Sequence, residues 1–165
     1  MLRLEKQEAL QRALRQLPPV YRTVLVLHDM EALENTQIAA MLELREGTVH
    51  VRLHRARLYI RRELEKVEEQ TRRTETPAVL SKQCRRLTAR LSEYLDHRLS
   101  GELCEEVEKH LNNCRRCQDL LAGLERSVDQ CRRYQHEKAD SDCMKRSREL
   151  LLKEYQRVLT GIRGE

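Results

Sequence analysis

His110-x3-Cys114-x2-Cys117 packs an imidazole and two thiols into eight residues, and thiolate with imidazole is the donor set that tetrahedral zinc takes. On a continuous helix His110 and Cys114 would share a face, with Cys117 one turn further on. A closed structural site needs a fourth ligand. Cys84 fits if it opens a preceding helix that runs antiparallel to the His110 helix, joined to it by a turn at Ser100-Gly101. Cys104 is the rival, about one and a half turns from His110. The chain has six cysteines. In a reducing compartment they read as metal ligands, reactive thiols or small core residues, not as a disulfide framework. Cys131 falls on the stripe Leu121, Leu124, Val128 and reads as a buried packing residue. His136 with Cys143 has no diagnostic spacing, and His28, His97 and Cys104 default to packing or surface roles.

A second chemistry is carried by arginines. Residues 45–62 hold Arg45, Arg52, Arg55, Arg57, Arg61 and Arg62 against the single acid Glu46, an excess equal to the whole chain's net charge of +5. A net charge of that size does not argue for nucleic acid by itself, but its concentration on one helix does. The segment Thr36 to Leu64 supplies the parts of a helix-turn-helix: a bracing helix, the turn Leu44-Arg45-Glu46-Gly47, and a long second helix able to enter a major groove. Thr36, Gln37 and Thr48 sit near helix starts, where hydroxyls, amides and free N–H groups hold phosphates. His50, Val51, His54 and Arg55 form the outward reading face, with Arg55 able to pair with a guanine edge. Arg57, Arg61 and Arg62 are expected to hold phosphates farther along.

The elements that position these residues are all helical. Phe and Trp are absent, Pro and Gly number 3 and 5, and Leu recurs at spacings of three, four and seven. The expected fold class is all-α: a winged-helix-like helix-turn-helix domain of three or four helices, then a small zinc-binding helical bundle. Residues 1–69 would form the DNA-binding domain, 70–83 a linker, and 84–165 the zinc-binding domain. One helix is expected over 2–16, a second from Pro18 to about Met30 with Val20, Val24 and Leu27 inward, and a third capped by Asn35 or Thr36. The fourth buries Val49, Leu53, Ala56 and Ile60. Beyond the linker, Leu87, Leu91 and Leu95 mark one helix, Leu103, Val107 and Leu111 another, Leu121, Leu124 and Val128 a third, and Leu151, Tyr155, Leu159 and Ile162 a fourth. No apolar run reaches the roughly 18 residues of a membrane span, and MLRLEKQEAL lacks a signal-peptide core, so a cytoplasmic protein without membrane contact is expected.

LPPVYRTVLVLHDMEAL…TQIAAMLEL…GTVHVRLHRAR resembles region 4 of sigma factors of the extracytoplasmic-function (ECF) type, over roughly residues 10–65. The resemblance implies recognition of the promoter −35 element and docking on the β flap of RNA polymerase. Gln37 stands where an acid is usual, and Glu43 where the inter-helix turn often has Gly. No segment resembles sigma region 2, which leaves a C-terminal part of a longer sigma factor or a free-standing region 4 protein. Cys84…His110-x3-Cys114-x2-Cys117, with Leu91-Ser92-Glu93-Tyr94-Leu95-Asp96 between, resembles the zinc-binding anti-sigma domain over about residues 82–125. That resemblance implies a bound Zn2+ and an intramolecular contact that restrains the first domain, with release on thiol oxidation or metal exchange. An interaction module that binds polymerase or another sigma factor without reading DNA is the alternative. A thiol-redox enzyme or metalloenzyme built on Cys114-x2-Cys117 is disfavoured, because no βαβ pattern, general base or open metal position accompanies the pair.

Overall fold

The computed structural model describes residues 2–69, 81–138 and 141–162, and all of its regular structure there is helical. Helix α1 (Leu2–Gln16) ends at Leu17-Pro18, and α2 (Pro19–Leu25) begins on Pro19, where a missing N–H costs nothing. A π-helical turn, Val26–Met30, continues α2, with the Glu31 N–H reaching back five residues to the Val26 carbonyl. Helices α3 (Asn35–Met41) and α4 (Glu46–Glu69) form the helix-turn-helix. Beyond residue 80 come α5 (Lys82–Thr88), α6 (Leu91–Leu95), α7 (Gly101–Asn113), α8 (Arg115–Lys138) and α9 (Ser141–Ile162).

The first core is the one the apolar spacing implies. Leu10 and Ala13 of α1, Val24 and Leu27, Ile38 of α3, and Val49, Leu53, Ala56 and Ile60 of α4 are all essentially inaccessible. Each fully buried aliphatic side chain contributes about 2 kcal/mol relative to exposure, so this stripe, more than helix propensity, fixes α4 in place. A second core gathers Leu87, Leu91, Val107, Leu111 and Leu124 beside Cys84 and Cys117.

The two cores are joined by side chains from the C-terminal half. Cys131 of α8 and Tyr155 of α9 are buried in the first core, while Leu58 of α4 packs against the second. Helix α8 thus serves both cores, with Leu124 in one and Cys131 in the other. It approaches α4 closely at Gly123, where a Cβ would collide with the Arg61 Nε and lie 2.9 Å from its Cδ. The core therefore does not divide where the linker does. Residues 70–80 of that linker lie outside the described residues; Ser81 caps α5, and Lys82 and Gln83 are already helical.

Several local expectations are corrected. Glu34, not Asn35 or Thr36, is the N-cap of α3, and the Gln37 side-chain oxygen accepts from the Glu34 N–H at 2.9 Å. Asn35 is buried instead. The single helix drawn through Leu87, Leu91 and Leu95 is broken between Thr88 and Leu91, so the chain turns and α6 can meet α4. Glu43 has φ 54°, the left-handed conformation that glycine serves at a helix C-terminus. Ala32 and His97 are left-handed too, each in the turn after a helix.

Candidate zinc site and DNA-reading face

Four separate backbone positions converge on the zinc candidate. Cys84 is the third residue of α5, its N–H donating to the Ser81 Oγ at 3.1 Å. His110 lies in the last turn of α7, Cys114 in the break that ends α7, and Cys117 in the first turn of α8. The break is what brings the last three together. Cys114 is extended (φ −129°, ψ 92°), and its carbonyl accepts from the Cys117 and Gln118 N–H groups at 3.0 and 3.1 Å. The ligands therefore do not share the face of one continuous helix, as the i, i+4 spacing had implied. They flank a helix end whose amides favour thiolate.

The donor atoms of Cys84, His110, Cys114 and Cys117 lie within 4.8 Å of one another, and no other such cluster occurs among the described residues. Cys84 Sγ is 3.8 Å from Cys114 Sγ and 3.6 Å from His110 Nε2, and His110 Nε2 is 3.2 Å from Cys117 Sγ. Tetrahedral zinc bonds imply edges of roughly 3.8 Å between sulfurs and roughly 3.6 Å from sulfur to nitrogen. The residues fit the ion. Hydrogen bonding from the Ser81 hydroxyl, then from Cys114, Cys117 and His110, draws the Cys84 thiol down to about 6 against its burial. Burial, with Cys114 and Cys84 as neighbours, pushes Cys117 up to about 12. Three thiols so close ionise together only around a cation, and zinc would supply that charge. Cys104, the rival ligand, instead donates toward Glu108 at 3.6 Å.

Helix α4 has a different environment on each side. His50, His54, Arg57 and Arg61 follow one another at intervals of four, three and four, and this stripe is occupied by protein. His50 Nε2 lies 3.3 Å from Asn35 Nδ2 and 3.4 Å from Glu46 Oε1, with Glu93 of α6 4.0 Å from the other ring nitrogen. His54 Nδ1 is 2.8 Å from the Ser92 hydroxyl. Burial, and then the charge of Arg57, pulls the His54 pKa below its ordinary value against the opposing effect of Glu93. Arg61 pairs with Glu65 at 2.8 Å beside Gly123.

Arg57 is wholly buried, which corrects its expected role as an exposed phosphate contact in this form of the chain. Its Nε and NH2 donate to Asp29 at 2.9 and 2.6 Å, its NH1 and NH2 to Asp96 at 2.9 and 2.7 Å, and NH1 also to the Ser92 carbonyl at 3.2 Å. These five contacts match the five N–H donors of a guanidinium. Burial opposes both charges, but the mutual pairing wins: Asp29 is held below the usual carboxylate range, and Arg57 is raised further above its own. His28 completes the cluster, 2.9 Å from Asp29.

The neighbouring stripe stays open. Val51, Arg55 and Arg62 are exposed, as are Thr36 and Gln37 on α3; Thr48 is half-buried. Arg55 donates to the Tyr21 hydroxyl at 3.2 Å. A cleft with Gly47, His50, Val51 and Arg55 on one wall and Ala89, Arg90 and Glu93 on the other separates α4 from the α5–α6 corner. Further contacts tie α4 and its neighbours to the C-terminal half. Arg52 donates to the Tyr155 hydroxyl at 2.7 Å, Arg22 pairs with Glu154 at 2.5 Å, and Arg98 bridges Glu34 (2.9 Å) and Glu46. The sequence reading gave Asp29, Ser92, Asp96, Arg98 and Tyr155 no role against α4. Ser92 and Asp96 stood only inside the quoted Leu91–Asp96 motif and Tyr155 only on an apolar stripe, and Asp29 left no more than an acid two residues past the apolar run Val24 to Leu27.

Comparison with known proteins finds two families along the chain. Residues 7–60 match the family described as "Sigma-70, region 4", and residues 84–118 the family described as "Putative zinc-finger". The chain is 44% identical over 62 residues to the ECF RNA polymerase sigma factor SigE of Mycolicibacterium smegmatis, covering 38% of this chain and 24% of that protein. It is 38% identical over 61 residues to the ECF RNA polymerase sigma factor SigW of Bacillus subtilis, covering 37% and 33%. The chain thus spans a quarter to a third of the length of these relatives. No solved structure matches it. No described helix is long and apolar enough to cross a membrane. The two sigma-factor relatives are transcription regulators and not enzymes, and the chain carries, in order, a segment similar to sigma-70 region 4 and a segment similar to a putative zinc-finger.

Proposed function

We propose that the α3–α4 unit recognises a promoter −35 element and docks on the β flap of RNA polymerase, and that the zinc-bearing segment restrains it in cis. The observation that carries this reading is the burial of Arg57 between Asp29 of its own unit and Asp96 beyond α6. Acidic and hydroxyl groups of the zinc-bearing segment, Ser92, Glu93 and Asp96, occupy the His50, His54 and Arg57 stripe of α4, and Glu93 with Arg90 walls the cleft beside Val51 and Arg55, so a duplex approaching that open stripe meets the segment. The tether raises their effective concentration, so the covered form needs no separate association. Zn2+ held by Cys84, His110, Cys114 and Cys117 fixes the ends of α5, α7 and α8 and with them the orientation of α6. Thiol oxidation or metal exchange then shifts the balance between covered and open forms, by no more than the difference in stability the ion gives the two.

The domain reading 1–69, 70–83 and 84–165 enters this proposal as a division of function, with a shared core. A chain ended at residue 69 would lose Cys131 and Tyr155 from the first core, so point variants at the seam are the cleaner test. Wild-type chain and an Asp96→Ala, Arg98→Ala double variant are titrated with a −35-like duplex at fixed salt. The variant should bind at least tenfold more tightly. Equal affinities, with both proteins folded, would remove cis restraint from the reading. The pairing of Arg52, Arg57 and Arg61 within the chain also favours a second reading, an interaction module that binds polymerase without reading DNA. Core polymerase capture that survives Arg55→Ala, without duplex binding by either form, would select it.

A further inference from the structure

The two carboxylates on Arg57 are not equivalent. Asp29 belongs to the same helix-turn-helix unit, grips the guanidinium through Nε and NH2, and has a wholly buried side chain. Asp96 reaches the opposite NH1–NH2 edge from the zinc-bearing segment, 39 residues away in sequence, with 8% of its side chain exposed. Asp29 therefore acts as a positioning residue: it holds the guanidinium flat, with its far fork turned toward the seam. His28 stands at the rim, its Nε2 3.9 Å from Asp96 Oδ2. A preset planar fork beside an imidazole is the geometry that takes two oxygens of one oxyanion.

We propose that the NH1–NH2 edge of Arg57, with His28 at its rim, is an oxyanion socket of the region 4 unit, and that the chain's own Asp96 is its resident ligand. When the zinc-bearing segment swings away, the socket takes a side-chain carboxylate presented by a protein partner from the end of a short helix, as α6 presents Asp96. Depth favours a carboxylate over nucleic-acid phosphate. Arg57 has no exposed surface in the covered form and lies against the π-helical turn, whereas Val51 and Arg55 line the open stripe. An aspartate on a narrow helix end reaches such a recess, while a duplex backbone meets the outer stripe first. The proposal deepens the masking reading and rests on the same seam. Its test reads stability and not DNA binding, so the two can fail separately.

The test is chemical rescue of the vacated socket in the full chain. Asp96→Ala should unfold at a lower temperature than wild type. Acetate should recover much of that loss in a saturable way, relative to chloride at equal ionic strength, and should leave wild type unmoved. Asp96→Asn, which fills the space with an amide, should show no saturable acetate effect. If Asp96→Ala does not fold, Asp96→Ser is measured in the same series. Acetate indistinguishable from chloride on the vacated variant would overturn the socket. Inorganic phosphate stabilising as well as or better than acetate at equal concentration would overturn the carboxylate assignment in favour of a phosphate-bearing partner.

Discussion

Asp96 and Arg57 meet as a two-pronged pair, 2.7 and 2.9 Å between their atoms, although one lies in the region 4 unit and the other follows the first helices of the zinc-bearing segment. Buried ion pairs specify geometry more than they stabilise it, because desolvation offsets much of their attraction. The apolar contacts of α8 and α9 hold the halves together, and Arg57 is contacted by acids from both. Removing one partner is a different matter. Asp96→Ala should cost about 3 kcal/mol, since it leaves two guanidinium donors unpaired in a closed space. Denaturant unfolding of the full chain measures this, and a loss below about 0.5 kcal/mol would place Asp96 among ordinary surface pairs.

Glu43 adopts φ 54° in the turn between α3 and α4. A side chain there costs about 1 kcal/mol that glycine does not incur, part of which glycine returns through its looser unfolded state. Glu43→Gly should raise stability by about 0.5 kcal/mol. Comparison of unfolding midpoints checks the sign.

Zinc content should be one ion per chain in protein prepared without chelator, and Cys114→Ser should lose it. Chelation should reduce helicity mainly in the zinc-bearing segment, because its small core of Leu87, Leu91, Val107 and Leu111 surrounds the ligands. Elemental analysis with circular dichroism decides. Wild-type protein that holds no zinc and keeps full helicity would contradict the assignment.

The seam should weaken in mild acid. Burial and Arg57 lower the His54 pKa, so folding favours its neutral ring. That contribution is fully present above the unfolded value of about 6.5 and is lost as pH falls through the lowered folded value. Ser92, Glu93, Arg55 and Arg57 are the groups that face it. His54→Gln should flatten the stability difference between pH 7.5 and 5.5. An unchanged slope would assign the acid sensitivity elsewhere.

Cys131 should resist alkylation in the native chain. It is buried beside Tyr155 in the first core, and burial pushes its thiol well above the ordinary range. Half-exposed Cys104 should be labelled well before Cys131, although burial and the Glu108 carboxylate raise its thiol, and mass spectrometry after timed labelling can follow both.

Much of this was legible in the sequence, for a definite reason. Val49, Leu53, Ala56 and Ile60 announce their helix because their period is local, and Cys114-x2-Cys117 with His110 announces a metal because its ligands lie within eight residues. Cys84 was reachable by asking which thiol a returning helix brings back. Asp96 was not reachable, since nothing in LSEYLD states that its carboxylate meets an arginine 39 residues earlier. Arg57 was misplaced for the same reason: an arginine on a basic helix reads as a solvated or phosphate-bound charge until its buried acids are seen. The helix break at Cys114 hid behind an i, i+4 spacing that a continuous helix would satisfy almost as well. Cys143 and His136 have side chains outside the described set.

Because Cys131 and Tyr155 complete a core begun by residues 9–64, covalent continuity and structural continuity part company in this chain. A single backbone cut between residues 70 and 80 should leave two pieces that co-elute as one particle and separate only on denaturation. Two halves expressed as separate polypeptides should then find each other and rebuild the covered form in trans.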